Sequence, residues 1–183
     1  MSDSIDQDRE AILAVHRKWW SANVGLDIPP MVECFPSGEN FSMFNRNSFT
    51  YYGVDEVAAL WQHFIDIGIP PRLTQTVNIN RFEVWGDTAL IACELTYRRT
   101  EVVRQNWERS DAELLGSKAT EIYRRDSGDG TPDWRMWHFH SGPLQPFDEP
   151  RPLYGDTLDE RGLGGNPYGV TISTTTELST AQD

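Results

Sequence analysis

The stretch "SKATEIYRRDSGDGTPDWRMWHFHSG", residues 117–142, reads as a β-hairpin. Both arms alternate side-chain character with a period of two, and residues 126–132 between them are Gly, Pro, Asp, Ser and Thr, which favour turns. In the second arm strict alternation puts His138 and His140 on one face with Trp134 and Met136, and Arg135, Trp137 and Phe139 on the other. Aromatic rings fall on both faces, so the strand should be covered on both sides.

Upstream, "RLTQTVNINRFEVWG" (72–86) and "DTALIACELTYRRTEV" (87–102) make a second hairpin around a Gly86–Asp87 turn, and the polar residues 104–113 read as a loop. Before residue 70 the period is helical. Residues 4–25 carry Ile12, Val15 and Trp19 along one side, with His16 beside them, Ser4 and Gln7 as a capping box, and Gly25 as the stop. Residues 27–36 read as a short second helix with prolines in its first turn. "NFSMFN" (40–45) and "SFTYYG" (48–53) read as two short strands. Residues 54–68 form a third helix with Val57, Leu60, Trp61 and Phe64 inward and His63 on the opposite side. Helices followed by antiparallel strands define an α+β class.

From residue 143 onward Pro, Gly, Thr and acids dominate without a usable period. The sequence therefore predicts one domain over 1–142 and an extended arm or disordered tail over 143–183, whose Tyr154, Leu158 and Tyr168 could pack on a neighbour. A net charge of −12 argues against nucleic-acid and anionic-membrane partners, which want clustered cations. Cys34 and Cys93 are lone thiols without C-x-x-C spacing, and the polar N-terminus lacks an apolar leader region. A soluble cytoplasmic protein is expected, with a small molecule as its partner.

This order of elements resembles the nuclear transport factor 2-like superfamily, in its SnoaL-like and ketosteroid-isomerase-like branch. The local features are the aromatic after the short helix ("MVECF"), the strand "FTYYG" running into "VDEVAALWQHF", and the hairpin quoted above. That hairpin is similar to a T-x-x-x-R-R-x-x-x-W-x-x-x-H-x-H-x-S ending, except that Ser141 directly follows His140 and the loop before Trp134 is longer. The resemblance covers residues 5–142. It implies a curved antiparallel sheet forming a cone around three helices, with a pocket between, in a homodimer or homotrimer. Such pockets serve isomerisation, dehydration, cyclisation, epoxide opening, lyase chemistry, or binding and assembly alone, and fold does not choose among them. The Asp base and protonated-Asp oxyanion donor of ketosteroid isomerase have no matching residues here.

His138 is read as a general acid or base and His140 as its companion in the pocket, because imidazole titrates near neutral pH. The alternative is a neutral histidine bonded within the core. H-x-H could also hold a metal, but a third ligand from His16, His63, Glu94 or Glu121 lacks diagnostic spacing, so no metal is assigned. Lys118, one of only two lysines, could act as base or oxyanion partner; the alternative is a solvent-facing residue paired with Glu94 or Glu121. Tyr52 and Tyr97 are candidate proton donors. Of Tyr51 and Tyr52 one must point inward. Asn45 and Arg46, with Arg98 and Arg99, should sit at the pocket mouth, and Trp20 and Trp61 should roof it as core or as a stacking wall.

No phosphate loop, nucleophile elbow or dinucleotide fingerprint is present in the sequence, so no cofactor is assigned. The reading is an acid/base lyase acting on a hydrophobic aromatic molecule, with formaldehyde loss from a lignin-derived diarylpropane diol as the specific example. Isomerase, dehydratase or polyketide cyclase chemistry, and a non-catalytic binding or assembly module, stand as alternatives.

Overall fold

The computed structural model describes residues 2–69, 71–99, 115–144 and 171–175. Helix α1 (Ser2–Gly25) begins before Ser4, so Ser4 lies inside the helix and is not its cap. Ile12, His16, Trp19, Trp20 and Asn23 recur at helical spacing and are all buried. The helix ends where Leu26 takes a left-handed conformation (φ +55°), and Asp27 N then donates to Ala22 O at 2.9 Å. Glycine usually occupies that position. A short helix α2 (Ile28–Val32) follows on Asp27 with proline in its first turn.

Strands β1 (Ser42–Phe44) and β2 (Thr50–Tyr52) pair antiparallel and lead into α3 (Gly53–Asp66). Gly53 makes the corner at φ +70°, where a Cβ would come within 3.2 Å of Glu39 Cα and Gly38 O. Glu56 then accepts from Tyr52 N at 2.6 Å, satisfying a donor at the start of α3. Val57, Leu60 and Trp61 form the buried stripe of α3.

The long strands are β3 (Arg72–Trp85), β4 (Thr88–Arg99), β5 (Leu115–Arg125) and β6 (Trp134–Pro143). A further strand, β7 (Thr171–Thr175), pairs antiparallel with β3. Sequence pattern gives no strand there, but Thr and Ile suit an extended edge. Tyr154, Leu158 and Tyr168, expected in an arm, and the expected 104–113 loop lie outside the described residues. The sheet order is β2-β1-β6-β5-β4-β3-β7, with β1 parallel to β6 and all other pairs antiparallel, so the sheet is mixed rather than wholly antiparallel.

The three helices cover one face of this sheet, and the core lies between. Trp19 sits at its centre, with ring centroids 5.3–5.9 Å from Trp20, Phe35, Trp61 and Phe139. Burying one such ring removes roughly 200 Å² from water, about 5 kcal/mol as an upper figure. Arg125 clamps α1 to the strands: it donates to Asp8 at 2.5 Å and to Asp87 at 2.9 Å, over the Trp134 ring, whose Nε1 also reaches Asp8.

One irregularity decides which side chains face the helices. Between Ile122–His138 and Tyr123–Met136 the β5–β6 register shifts, leaving Trp137 as an extra residue. The bulge reverses the alternation, so Trp134 and Met136 point to the core together with Phe139, and not with His138 and His140. Parity counted across residues 134–140 therefore fails at Trp137.

Candidate functional site

Between the helices and the concave side of the sheet lies a cleft enclosing about 760 Å³ of empty space, its open mouth included. Its interior is apolar and aromatic: Trp20 from α1, Trp61 and Phe64 from α3, Leu95 from β4 and Phe139 from β6. Leu26, in the left-handed conformation that ends α1, also lines it.

The polar groups collect toward the rim. Asn45, Arg46 and Asn47, from the β1–β2 turn, are half-buried there. Arg46 Nη1 donates to the phenol oxygen of buried Tyr97 at 2.6 Å, and the Arg72 guanidinium carbon stands 4.2 Å from the centre of the same ring. Arg46 makes no ion pair among the described residues. Asn47 Nδ2 donates to Tyr51 Oη at 2.7 Å, so Tyr51 is the inward tyrosine of the pair. Ser117 and Ser141 add hydroxyls from β5 and β6, Ser117 Oγ being bonded to Gly142 O.

The cleft thus brings together Tyr97, Trp20, Trp61, Asn45 and Arg46 as expected. It does not bring in the other five, of which Tyr51 is joined to it only through the bond from Asn47. His138, His140 and Lys118 project from the opposite face of the sheet, and Tyr52 is 60% exposed. The expectation that an imidazole enters the cavity beside a tyrosine or Lys118 is corrected on this point. Trp137's bulge turns the histidines outward, and Lys118 falls between Ser117 and Ala119, which point inward. On the outer face Lys118 and His140 share a shallow depression with Asn80 and Glu94, while Ser42 Oγ lies 2.8 Å from His138 Nδ1 and Phe44 meets both imidazoles edge-on. Burial, with the neighbouring His140 next, holds His138 below its ordinary value, while the bond from Ser42 acts the other way. No group of three or more His, Cys, Asp or Glu able to hold a metal occurs among the described residues. The side chains of Arg98 and Arg99 lie outside the described residues.

Beneath the cleft floor lies a polar cluster that sequence reasoning missed. Glu121 is fully buried and accepts from Trp20 Nε1 at 2.7 Å, from Tyr123 Oη, and from Cys93 Sγ at 3.7 Å; His16 Nδ1 lies 2.7 Å from Oε2. Burial, reinforced by the Glu121 charge, pushes the Tyr123 and Cys93 groups well above their ordinary values, so both stay protonated donors. Trp20 therefore has one edge on Glu121 and its ring on the cleft. Parity was the available signal: Glu121 shares a face with Ala119 and Tyr123, and an acid in that row is out of place unless paired. Asn23 was missed likewise, although it lies four residues after Trp19 on the buried face of α1.

No family model and no curated protein matches the chain. Solved structures do. A candidate dehydratase of the nuclear transport factor 2-like family from Streptomyces avermitilis aligns at TM-score 0.58 and 17% identity over 77% of this chain and 99% of that one. A ketosteroid isomerase-like protein from Erwinia carotovora atroseptica aligns at TM-score 0.55 and 12% identity, covering 75% and 96%. The CaMKII hub of S. rosetta aligns at TM-score 0.52 and 16% identity, covering 74% and 95%. At these identities the likeness shows the fold: the chain has the nuclear transport factor 2-like fold, as the resemblance implied.

Proposed function

We propose that the cleft is an acid/base site that carries out an elimination, of lyase or dehydratase type, on a hydrophobic, ring-bearing small molecule. The observation that carries this is the Arg46–Tyr97 contact, at 2.6 Å, set at the edge of an aromatic cavity. In that bond the phenol oxygen accepts, so its own proton is not spent on Arg46. The guanidinium compensates the charge left on that oxygen whenever the proton is given up, and Tyr97 itself is only 3% exposed. Tyr97 gives this proton to the departing oxygen of the substrate, and the phenolate left behind, held by Arg46, recovers one from the substrate's hydroxyl or activated carbon. The same proton cycle serves an isomerase if it returns to the substrate carbon. Trp20 and Trp61 stack on the ring and hold it in register with Tyr97. Formaldehyde release from an aromatic diol is one member of this class.

The test is turnover of a panel of hydroxylated aromatic compounds, followed by chromatography with a formaldehyde assay alongside. Tyr97→Phe should lose about 100-fold or more, whereas His138→Ala and Lys118→Ala should retain activity. Full turnover by Tyr97→Phe, or loss in either outer-face variant, would show that the chemistry lies elsewhere.

A second reading, self-association, is favoured by Phe44, Phe49 and Tyr52, which are 47%, 67% and 60% exposed at one end of the sheet. Sedimentation of the native chain against Phe44→Asp tests it: an unchanged mass excludes that surface as the contact.

A further inference from the structure

Two polar groups inside the cleft are left without partners, and they differ in kind. Asn23 is 5% exposed, its side chain makes no hydrogen bond with any described residue, and its Oδ1 is sealed from solvent. Trp61, also 5% exposed, has a buried Nε1 with no acceptor. Both residues line the cleft. Burying a carbonyl oxygen without a donor, or an N–H without an acceptor, is unfavourable; His16 Nε2, Trp19 Nε1, Gln75 Nε2 and Asn80 Oδ1 are also unpaired among the described residues, but of these six groups Asn23 and Trp61 alone belong to the cleft wall. Leu26 points the same way. It holds a left-handed backbone, which is strained for a residue with a Cβ, and glycine there would relieve the strain but remove an apolar contact from the cleft.

We infer that the cleft selects a ring compound with a hydroxyl at its buried end and an anionic group, carboxylate or phenolate, at its open end. The hydroxyl donates to Asn23 Oδ1 and accepts from Trp61 Nε1, a complement that only a group with both functions supplies. The anion lies toward half-buried Arg46, which has no carboxylate of its own among the described residues. The flat walls Trp20, Trp61 and Phe139 admit the rings between these ends. This assignment rests on the cleft being the acid/base site and names what that site takes. It also predicts exclusion: an otherwise identical acid without the hydroxyl leaves both inner groups unpaired and is rejected.

The test uses three matched probes, hydroxynaphthoic acid with its groups at opposite ends, naphthoic acid and naphthol, titrated against the full chain by calorimetry. Hydroxynaphthoate should bind at least about tenfold more tightly than naphthoate. Asn23→Leu, close in volume, should erase that preference while leaving naphthoate affinity within about twofold, and should raise the ligand-free Tm by about 2–4 °C, because an unpaired buried amide has been removed. Trp61→Phe should weaken the preference without the indole N–H. Arg46→Met should weaken both acids and leave naphthol alone. If Asn23→Leu lowers Tm and leaves the preference intact, Asn23 is a structural residue and the inference is overturned. If the two acids bind wild type equally, the inference falls and the acid/base reading stands. If none of the three binds, both fall together.

Discussion

Replacing Glu121 should be among the costliest single substitutions in the chain. In Glu121→Leu, similar in size, the acceptor for Trp20 Nε1, Tyr123 Oη and His16 Nδ1 disappears, and all three donors remain in a site that water does not reach. His16 is already short of one partner, since its Nε2 has none. Each stranded donor costs about 1–3 kcal/mol. The three share one carboxylate and so are not additive, which brings the total to about 3–6 kcal/mol. For a chain of this length that corresponds to a drop in Tm of about 10–20 °C. Glu121→Gln keeps one carbonyl acceptor and should lose about half as much. Urea unfolding with a shared slope measures both. Adding Tyr123→Phe to Glu121→Leu should then recover part of the loss, because it removes a stranded hydroxyl, whereas Tyr123→Phe in wild type should cost stability. A Glu121→Leu protein within about 1 kcal/mol of wild type, with unchanged slope, would refute the reasoning that this carboxylate holds the cluster together.

Two further outcomes follow from the ionisable groups. Burial pushes Cys34 up from the ordinary 9.0 to about 12 and Cys93 well above it, so a thiol reagent at pH 8 should label the native chain negligibly and both thiols after urea. The unfolded chain releases these protons first and so binds fewer than the folded chain, and stability therefore falls as pH rises above about 9, by about 1 kcal/mol at pH 10 from Cys34 alone; denaturation midpoints that rise over this range would contradict it. His138 should titrate below the ordinary 6.5 in NMR spectra, and His140→Gln should move it upward, since the His140 charge is one of the two influences holding it down.

The elements were largely legible because their periods are clean. Residues 54–68 show one stripe, and the arms of both hairpins alternate over enough positions to fix their class. The site was legible only in part, for a reason located at one residue. Trp137 is apolar like its neighbours, so nothing in "DWRMWHFHSG" marks it as an insertion; the register against β5 reveals it. Alternation groups His138 and His140 with Trp134 and Met136, and the bulge separates them, while the place of the histidines in the pocket was implied by the resemblance alone. Trp20, Trp61, Asn45, Arg46 and Tyr97 were placed in the cleft because they come from elements whose orientation depends on no bulge. The Glu121–His16 contact joins residues 105 apart in sequence, and local pattern carries no information about such a pair. Strand β7 escaped because its partner, β3, supplies the order that its own short sequence lacks.

That late strand has a consequence in time. On a growing chain, β3 can pair with β4 as soon as that hairpin emerges, and β5 and β6 can follow, but the other side of β3 has no partner until Thr171–Thr175 is made. Residues 144–170 separate β6 from β7, about 1–6 s of synthesis at ordinary rates. Throughout that interval a row of peptide groups from Thr74 to Asn78 stands open to whatever extended segment comes by, including the same edge of a neighbouring nascent chain. The last strand among the described residues therefore covers the β3 edge and moves the sheet's margin to a five-residue strand, and truncations that remove it should tell most strongly on the yield of soluble chain.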